Sequence, residues 1–151
     1  MATMSESEQT EFLKSILKSQ HLAVLSSMEY NRPYSNLVAF AESGDLKSIL
    51  FATERNTRKY SNIKANNNVS LLIDSRSNRP SDFSTAMALT ILGSAGEVRE
   101  HDRENMLSIF IAKQPHLMQF VHSESTALIV INVSDYIIAG FNSPPLHVSM
   151  L

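Results

Sequence analysis

The sequence predicts a mostly β protein, a β-barrel with peripheral helices, built as a single domain over residues 1–151. Three observations lead there. About seven short β-type runs, separated by turn signals, are spaced along the chain. Two hairpin links follow one another, Asn31-Arg32-Pro33 and Ser43-Gly44-Asp45, which makes an antiparallel meander. The helical patterns are short and lie between or beside these runs, where they would cover a barrel. With 43% hydrophobic and only 19% charged residues, a chain of 151 can bury a core.

Each element has a local reason. Ser5 and Glu8 have capping-box spacing, and Phe12, Leu13, Ile16 and Leu17 then mark one helical face. His21–Met28, Tyr34–Glu42 and Ser48–Thr53 are strands joined by the two turns. A helix over Thr57–Lys64 follows, with Tyr60 and Ile63 facing inward, and the turn-favouring Asn66-Asn67-Asn68 stops it. Val69–Ser75 reads as a buried strand and Arg76–Phe83 as a polar loop. Ser84–Glu100 is long enough for one strand bent at Gly93 or Gly96, since glycine inside a strand often marks a bulge. Asp102–Lys113 has helix character through Met106, Leu107, Phe110 and Ile111, and Pro115 opens a short helix to about Val121. Thr126–Ser134 and Asp135–Phe141 read as two closing strands, and the Pro-rich end after Phe141 has little pattern.

Composition excludes several functions. No cysteine is present, which removes disulfides, thiolate nucleophiles and cysteine-ligated metals. Four glycines (Gly44, Gly93, Gly96, Gly140) cannot build a dinucleotide or P-loop phosphate motif. A net charge of -2 offers no basic field, so no nucleic-acid partner is expected. No apolar run reaches membrane-spanning length, and the polar, acidic start "MATMSESEQTEF" has no leader pattern. A cytoplasmic location without membrane association is the expectation. The histidines His21, His101, His116, His122 and His147 form no metal-binding spacing, so no metal site is expected.

One stretch breaks a rule. In "FATERNTRKYSNIKANNNVSLLI" (Phe51–Ile73), Arg55, Arg58 and Lys59 crowd the start of a helix, where the macrodipole favours acids. The free N–H groups there, the Thr57 hydroxyl, the Arg58 fork and the Lys59 ammonium together suit phosphate oxygens. A solvated basic turn, balanced in part by Glu54, is the plainer alternative.

The same stretch resembles the phosphate-binding segment of the pyridoxamine 5′-phosphate oxidase-like, FMN-binding split-barrel superfamily. "NRPYSNLVAF" (Asn31–Phe40) looks like its flavin-facing strand and "LTILGSAGEV" (Leu89–Val98) like the strand carrying its glycine. "DYIIAGF" (Asp135–Phe141) is similar to the closing strand of the subgroup related to haem-utilisation proteins. The resemblance implies a split β-barrel of the FMN-binding type. It implies that Arg58 and Lys59, helped by Thr57, hold the FMN phosphate. Ser35, Asn36, Leu37 and Val38 would face the ring edge, and Ala52 and Thr53 would line the same pocket. A homodimer with the cofactor at its interface is implied, so that Thr90, within Leu89–Ile91, would complete the partner's site.

The departures bear on chemistry. Phe40 stands where the true oxidases have a Lys, and the C-terminal Arg and His that hold their substrate are missing. The expectation is an FMN-dependent oxidoreductase acting on a small molecule other than pyridoxamine phosphate, with no catalytic residue assignable. Two alternatives stand beside it. One is a haem-binding or haem-degrading protein using His147, and the other is a non-catalytic FMN binder.

Overall fold

In a computed structural model of the chain, which describes residues 4–151, seven antiparallel strands form one sheet that closes on itself. The strands are β1 (Leu22–Glu29), β2 (Arg32–Glu42), β3 (Ser48–Glu54), β4 (Asn68–Asp74), β5 (Met87–Glu97), β6 (Thr126–Gly140) and β7 (Ser143–Ser149). Their order is β3-β2-β1-β4-β5-β6-β7, and a further β3–β6 pairing closes the first six into a barrel. Residues 1–3, the very start of the segment read as leaderless, lie outside the described residues.

Helices α1 (Glu6–Ser19) and α2 (Arg58–Ala65) send Leu13, Ile16, Leu17 and Ile63 into the barrel interior, against Leu25, Phe40, Phe51, Ile129 and Tyr136. The capping box at Ser5 and Glu8 starts α1 as its spacing requires. A second apolar cluster lies on the outer wall. There α4 (Glu100–Lys113) and α5 (Met118–His122), joined through a 3₁₀ turn at Pro115–Leu117, place Leu107, Phe110 and Val121 on Ala41, Leu50 and Leu128. Lys113 locks this layer: its Nζ donates to Glu42 Oε1 at 2.7 Å and to Leu17 O at 2.6 Å, and sits 3.9 Å from the Phe40 ring centroid.

Three boundaries differ from expectation. Thr126–Gly140 is one strand of 15 residues, not two. Its first half pairs with β3 and its second with β7, while β5 runs along the other edge. A bulge at Ser134, opposite Leu92 and Gly93, inserts one residue and reverses the side-chain parity: Ile129, Ile131 and Val133 point into the core before it, Tyr136 and Ile138 after it. That phase break looks like a strand boundary in the sequence. Gly93 is the glycine this bulge needs, since a Cβ there would lie 2.4 Å from Asn132 O, whereas Gly96 has open space. The second difference is the Pro-rich end, which forms β7. Prolines 144 and 145 are tolerated because β7 is an edge strand and both fall where the ladder to β6 is irregular. The third is β5, which begins at Met87 because Asp82–Thr85 forms a short helix, α3.

Candidate functional site

The barrel is split between β2 and β3. Their ladder has only three pairs, Phe40↔Phe51, Ala41↔Leu50 and Glu42↔Ile49. From Ala39 back to Arg32, β2 pairs with β1 alone, and from Ala52 to Glu54, β3 pairs with β6 alone. Two strand edges with unpaired peptide groups therefore diverge from Phe40 and Phe51. Such groups need partners that are polar and external. Helix α2 follows directly on β3, so its N-terminus stands at the end of the diverging strand.

Thr57 caps that helix. Its hydroxyl accepts from Tyr60 N, donates to Glu54 O at 2.8 Å and lies 2.8 Å from the hydroxyl of buried Thr53. The cap uses the hydroxyl fully, so Thr57 shapes the first turn and leaves the Arg58 and Lys59 amides as the free donors of a helix start. No acidic residue occupies that turn.

The three cations of the stretch part company. Arg55 grips Glu97 with Nε at 3.2 Å and Nη2 at 2.8 Å and donates to Glu124 O at 2.7 Å, while Tyr60 OH adds a bond to Glu97 at 2.9 Å. The Arg55 contact, joined by the Tyr60 hydroxyl, holds the Glu97 carboxyl below its ordinary range. Arg55 is thus a structural clamp. Arg58 lies over the Tyr34 ring, 5.1 Å from its centroid, and reaches Glu29 at 3.4 Å, with 60% of its side chain exposed. Its counter-charge is Glu29 and not the Glu54 weighed from sequence. Lys59 makes no ion pair among the described residues. Beside Arg58 and Thr57, a hollow of about 750 Å³ opens between α2 and the β1–β2 hairpin, lined also by Tyr30, Ser61 and Asn62.

Strand β2 alternates. Asn36 and Val38 point inward, Ser35 and Leu37 outward. Asn36 Oδ1 is shielded from solvent and has no hydrogen-bond partner, an acceptor left open beside the split. The Ser35 hydroxyl pairs with Ser26 at 3.0 Å, and Leu37 is 66% exposed. Ala52 packs into the outer cluster, so its small size serves the α4 layer, and only its backbone edge faces the split.

Thr90 is apart from these. Leu37, Val24, Leu72, Thr90, Ile137 and His147 lie in one row across the outer face of the sheet. Three strand spacings separate Leu37 from Thr90, roughly 14 Å. Leu89 and Ile91 are buried in the core, so of that trio only Thr90 faces out. At the row's end, His147 Nε2 bonds Asp135 Oδ1 at 2.5 Å.

Sequence reasoning missed Asn62, whose buried Nδ2 donates to Ser27 Oγ at 3.1 Å and ties α2 to β1. An Asn beside an apolar helix face carries no signal for this. Among the described residues no three His, Cys, Asp or Glu side chains converge, and no helix is long and apolar enough to cross a membrane.

Comparison with known proteins bears on the barrel. No curated protein matches the chain. The haem-binding protein of Mycobacterium smegmatis superposes with a TM-score of 0.83 at 12% identity over 99% of this chain; the chain spans 60% of that protein's length. General Stress Protein 26 of Bacillus anthracis gives 0.70 at 19% identity, over 93% of this chain and 98% of that one. An FAD-binding protein of Mesorhizobium loti gives 0.68 at 12% identity, over 85% and 90%. At these identities the three share the fold. The family model described as pyridoxamine 5′-phosphate oxidase matches residues 9–137, nearly the whole barrel with its split, and the chain belongs to that family.

Proposed function

We propose that the chain is an FMN-binding flavoprotein, a small cytoplasmic oxidoreductase that works as a homodimer. The observation that carries the reading is the split itself. Two unpaired strand edges end at a helix start whose first turn holds Arg58 and Lys59 and no acid. The residues suit a flavin phosphate and ring. Arg58 and Lys59, with the α2 amides, would hold the phosphate, and Thr57 and Thr53 would fix the turn beneath them. The β2 edge at Ser35, Asn36, Leu37 and Val38, with the open Asn36 Oδ1, would meet the polar edge of the ring, and Ala52 and Thr53 would offer the β3 edge. Bound FMN would supply hydride transfer, while the chain orients the ring and excludes water.

The homodimer reading rests on the outer face. Leu22, Leu37, Leu72 and Leu92 are 56%, 66%, 37% and 37% exposed there, a group of apolar side chains on one sheet face that a second copy would cover. A second copy on that face would bring its Thr90 towards the split, a distance that Thr90 cannot cover within one chain. The substrate would differ from pyridoxamine phosphate: Phe40, where a Lys would be needed, is fully buried in the core. A non-catalytic FMN binder would use the same residues.

A haem reading has one support of its own, the likeness to the mycobacterial haem-binding protein. Its candidate ligand, His147, has Nε2 committed to Asp135, which leaves Nδ1.

The test is an FMN titration of the Arg58→Ala/Lys59→Ala variant by flavin fluorescence. Two charge-assisted contacts at about 1.5–3 kcal/mol each predict a loss of affinity of 100-fold or more. The fold should hold, because an exposed pair such as Arg58–Glu29 contributes about 1 kcal/mol at most. Unchanged affinity would overturn the phosphate assignment.

A further inference from the structure

Helix α2 is weak by itself. It has eight residues, fewer than an isolated helix needs, and its first turn sets Arg58 and Lys59 against the positive end of the dipole with no acid to balance them. The two cations do not anchor it either. Arg58 meets Glu29 at 3.4 Å with both side chains well exposed, and Lys59 makes no ion pair among the described residues. The turn offered to a phosphate is therefore held by its neighbours.

Two fastenings hold it. The first is the Thr57 cap, whose hydroxyl meets Thr53 and Glu54 O. The second is Tyr60, the residue after Lys59, whose hydroxyl donates to Glu97 Oε1 at 2.9 Å. The Tyr60 ring is flanked in turn by Lys64, with Nζ 5.7 Å from its centroid. Glu97 ends β5 and pairs with Ile129 of β6, so its carboxylate is fixed to the barrel wall. Arg55 grips the same carboxylate with Nε and Nη2. It is fastened in turn to the loop before β6, its amide donating to Ser125 O at 3.0 Å and its Nη1 to Glu124 O at 2.7 Å. One carboxylate thus joins the residue three before Arg58 to the residue one after Lys59, and closes the intervening segment into a ring.

We propose that Glu97 is a positioning residue for the phosphate turn: by joining Arg55 to Tyr60 it sets the Arg58 and Lys59 side chains and amides where a flavin phosphate would need them. The inference rests on the flavin reading above, and adds to it a residue that would touch neither phosphate nor ring. Charge by itself argues the other way. Removing a carboxylate and releasing a guanidinium close to an anion should tighten its binding. Positioning requires the binding to weaken, so the sign of the change decides.

The test compares FMN with riboflavin, which lacks only the phosphate, by titration of flavin fluorescence. The parent should prefer FMN. Glu97→Met, which keeps the stem and removes both acceptors, should weaken FMN about tenfold, the worth of one charge-assisted contact, and leave riboflavin unchanged. Tyr60→Phe should weaken FMN alone by about threefold. The double variant should be no weaker than Glu97→Met, because the hydroxyl has already lost its acceptor. Circular dichroism and melting temperature confirm that each variant is folded. FMN binding that is unchanged or tighter in Glu97→Met, equal losses for the two flavins, or additive losses in the double variant would overturn the proposal while leaving the phosphate assignment intact. A parent that does not prefer FMN to riboflavin would overturn the phosphate assignment itself, and this inference with it.

Discussion

Substituting Gly93 by Ala tests the reason the long strand β6 changes phase. The new Cβ would stand 2.4 Å from Asn132 O, 2.8 Å from Ile131 Cγ2 and 3.1 Å from Asn132 C. Two of these atoms are backbone in the facing strand, so no rotamer change relieves the contact and the β5–β6 ladder has to move. Overpacking of this kind costs about 1–3 kcal/mol, and the fixed backbone partners place Gly93→Ala at the upper end. For a chain of this size about 3 kcal/mol lowers the melting temperature by roughly 6–12 °C. Gly96 is the control on the same strand, with nothing within 4 Å of its Cβ position. Gly96→Ala should be neutral or stabilise by up to about 1 kcal/mol, because alanine has less freedom to lose. Thermal and urea unfolding of the pair measure the difference. Equal melting temperatures would refute the close-approach argument, and with it the account of how the bulge at Ser134 turns Tyr136 into the core and Asp135 out.

Two further outcomes follow from the polar contacts. Lys113→Met removes the partner of Glu42, whose side chain is only 18% exposed, and should cost about 2–4 kcal/mol in urea unfolding; adding Glu42→Gln should recover part of it, and simple additivity of the two losses would count against a coupled pair. The carboxyls of Glu97, Asp45, Asp82 and Asp135 are all held below their ordinary range, Glu97 first by Arg55, Asp45 by the Ser43 hydroxyl, Asp82 by the Ser77 amide and Asp135 by the Ser134 hydroxyl. A depressed folded pKa gives stability that is complete above the unfolded value and is lost as pH falls through the folded one. The melting temperature should therefore be level from pH 7 to about pH 5 and fall below about pH 4.5. A fall already under way near pH 6 would assign the acid sensitivity to other groups.

Much of the barrel was legible because its signals are local. The capping box at Ser5, the turns at Asn31 and Ser43 and the asparagine stop of α2 each act within a few residues. Gly93 was legible as a bend, though not as the partner of a bulge on another strand. What escaped depends on distant partners. β7 is a strand only because β6 offers it an edge, and its two prolines hide that. Arg55 reads as one of three equal cations until Glu97, 42 residues away, claims it. In the candidate site, the cation pair at the start of α2 was visible as a broken rule of helix charge. The split was legible only through the family resemblance, and its place was not, because that is a matter of where the β2–β3 ladder stops. The wide separation of Thr90 from Leu37 is likewise set by sheet order, which neither segment encodes alone.

The most direct test of the central claim is the visible absorption spectrum of the protein as purified, before any ligand is added. A two-banded flavin spectrum is expected, with FMN released on denaturation in a ratio near one per chain. A sharp haem band, or a colourless protein that also fails to take up added FMN, would contradict it.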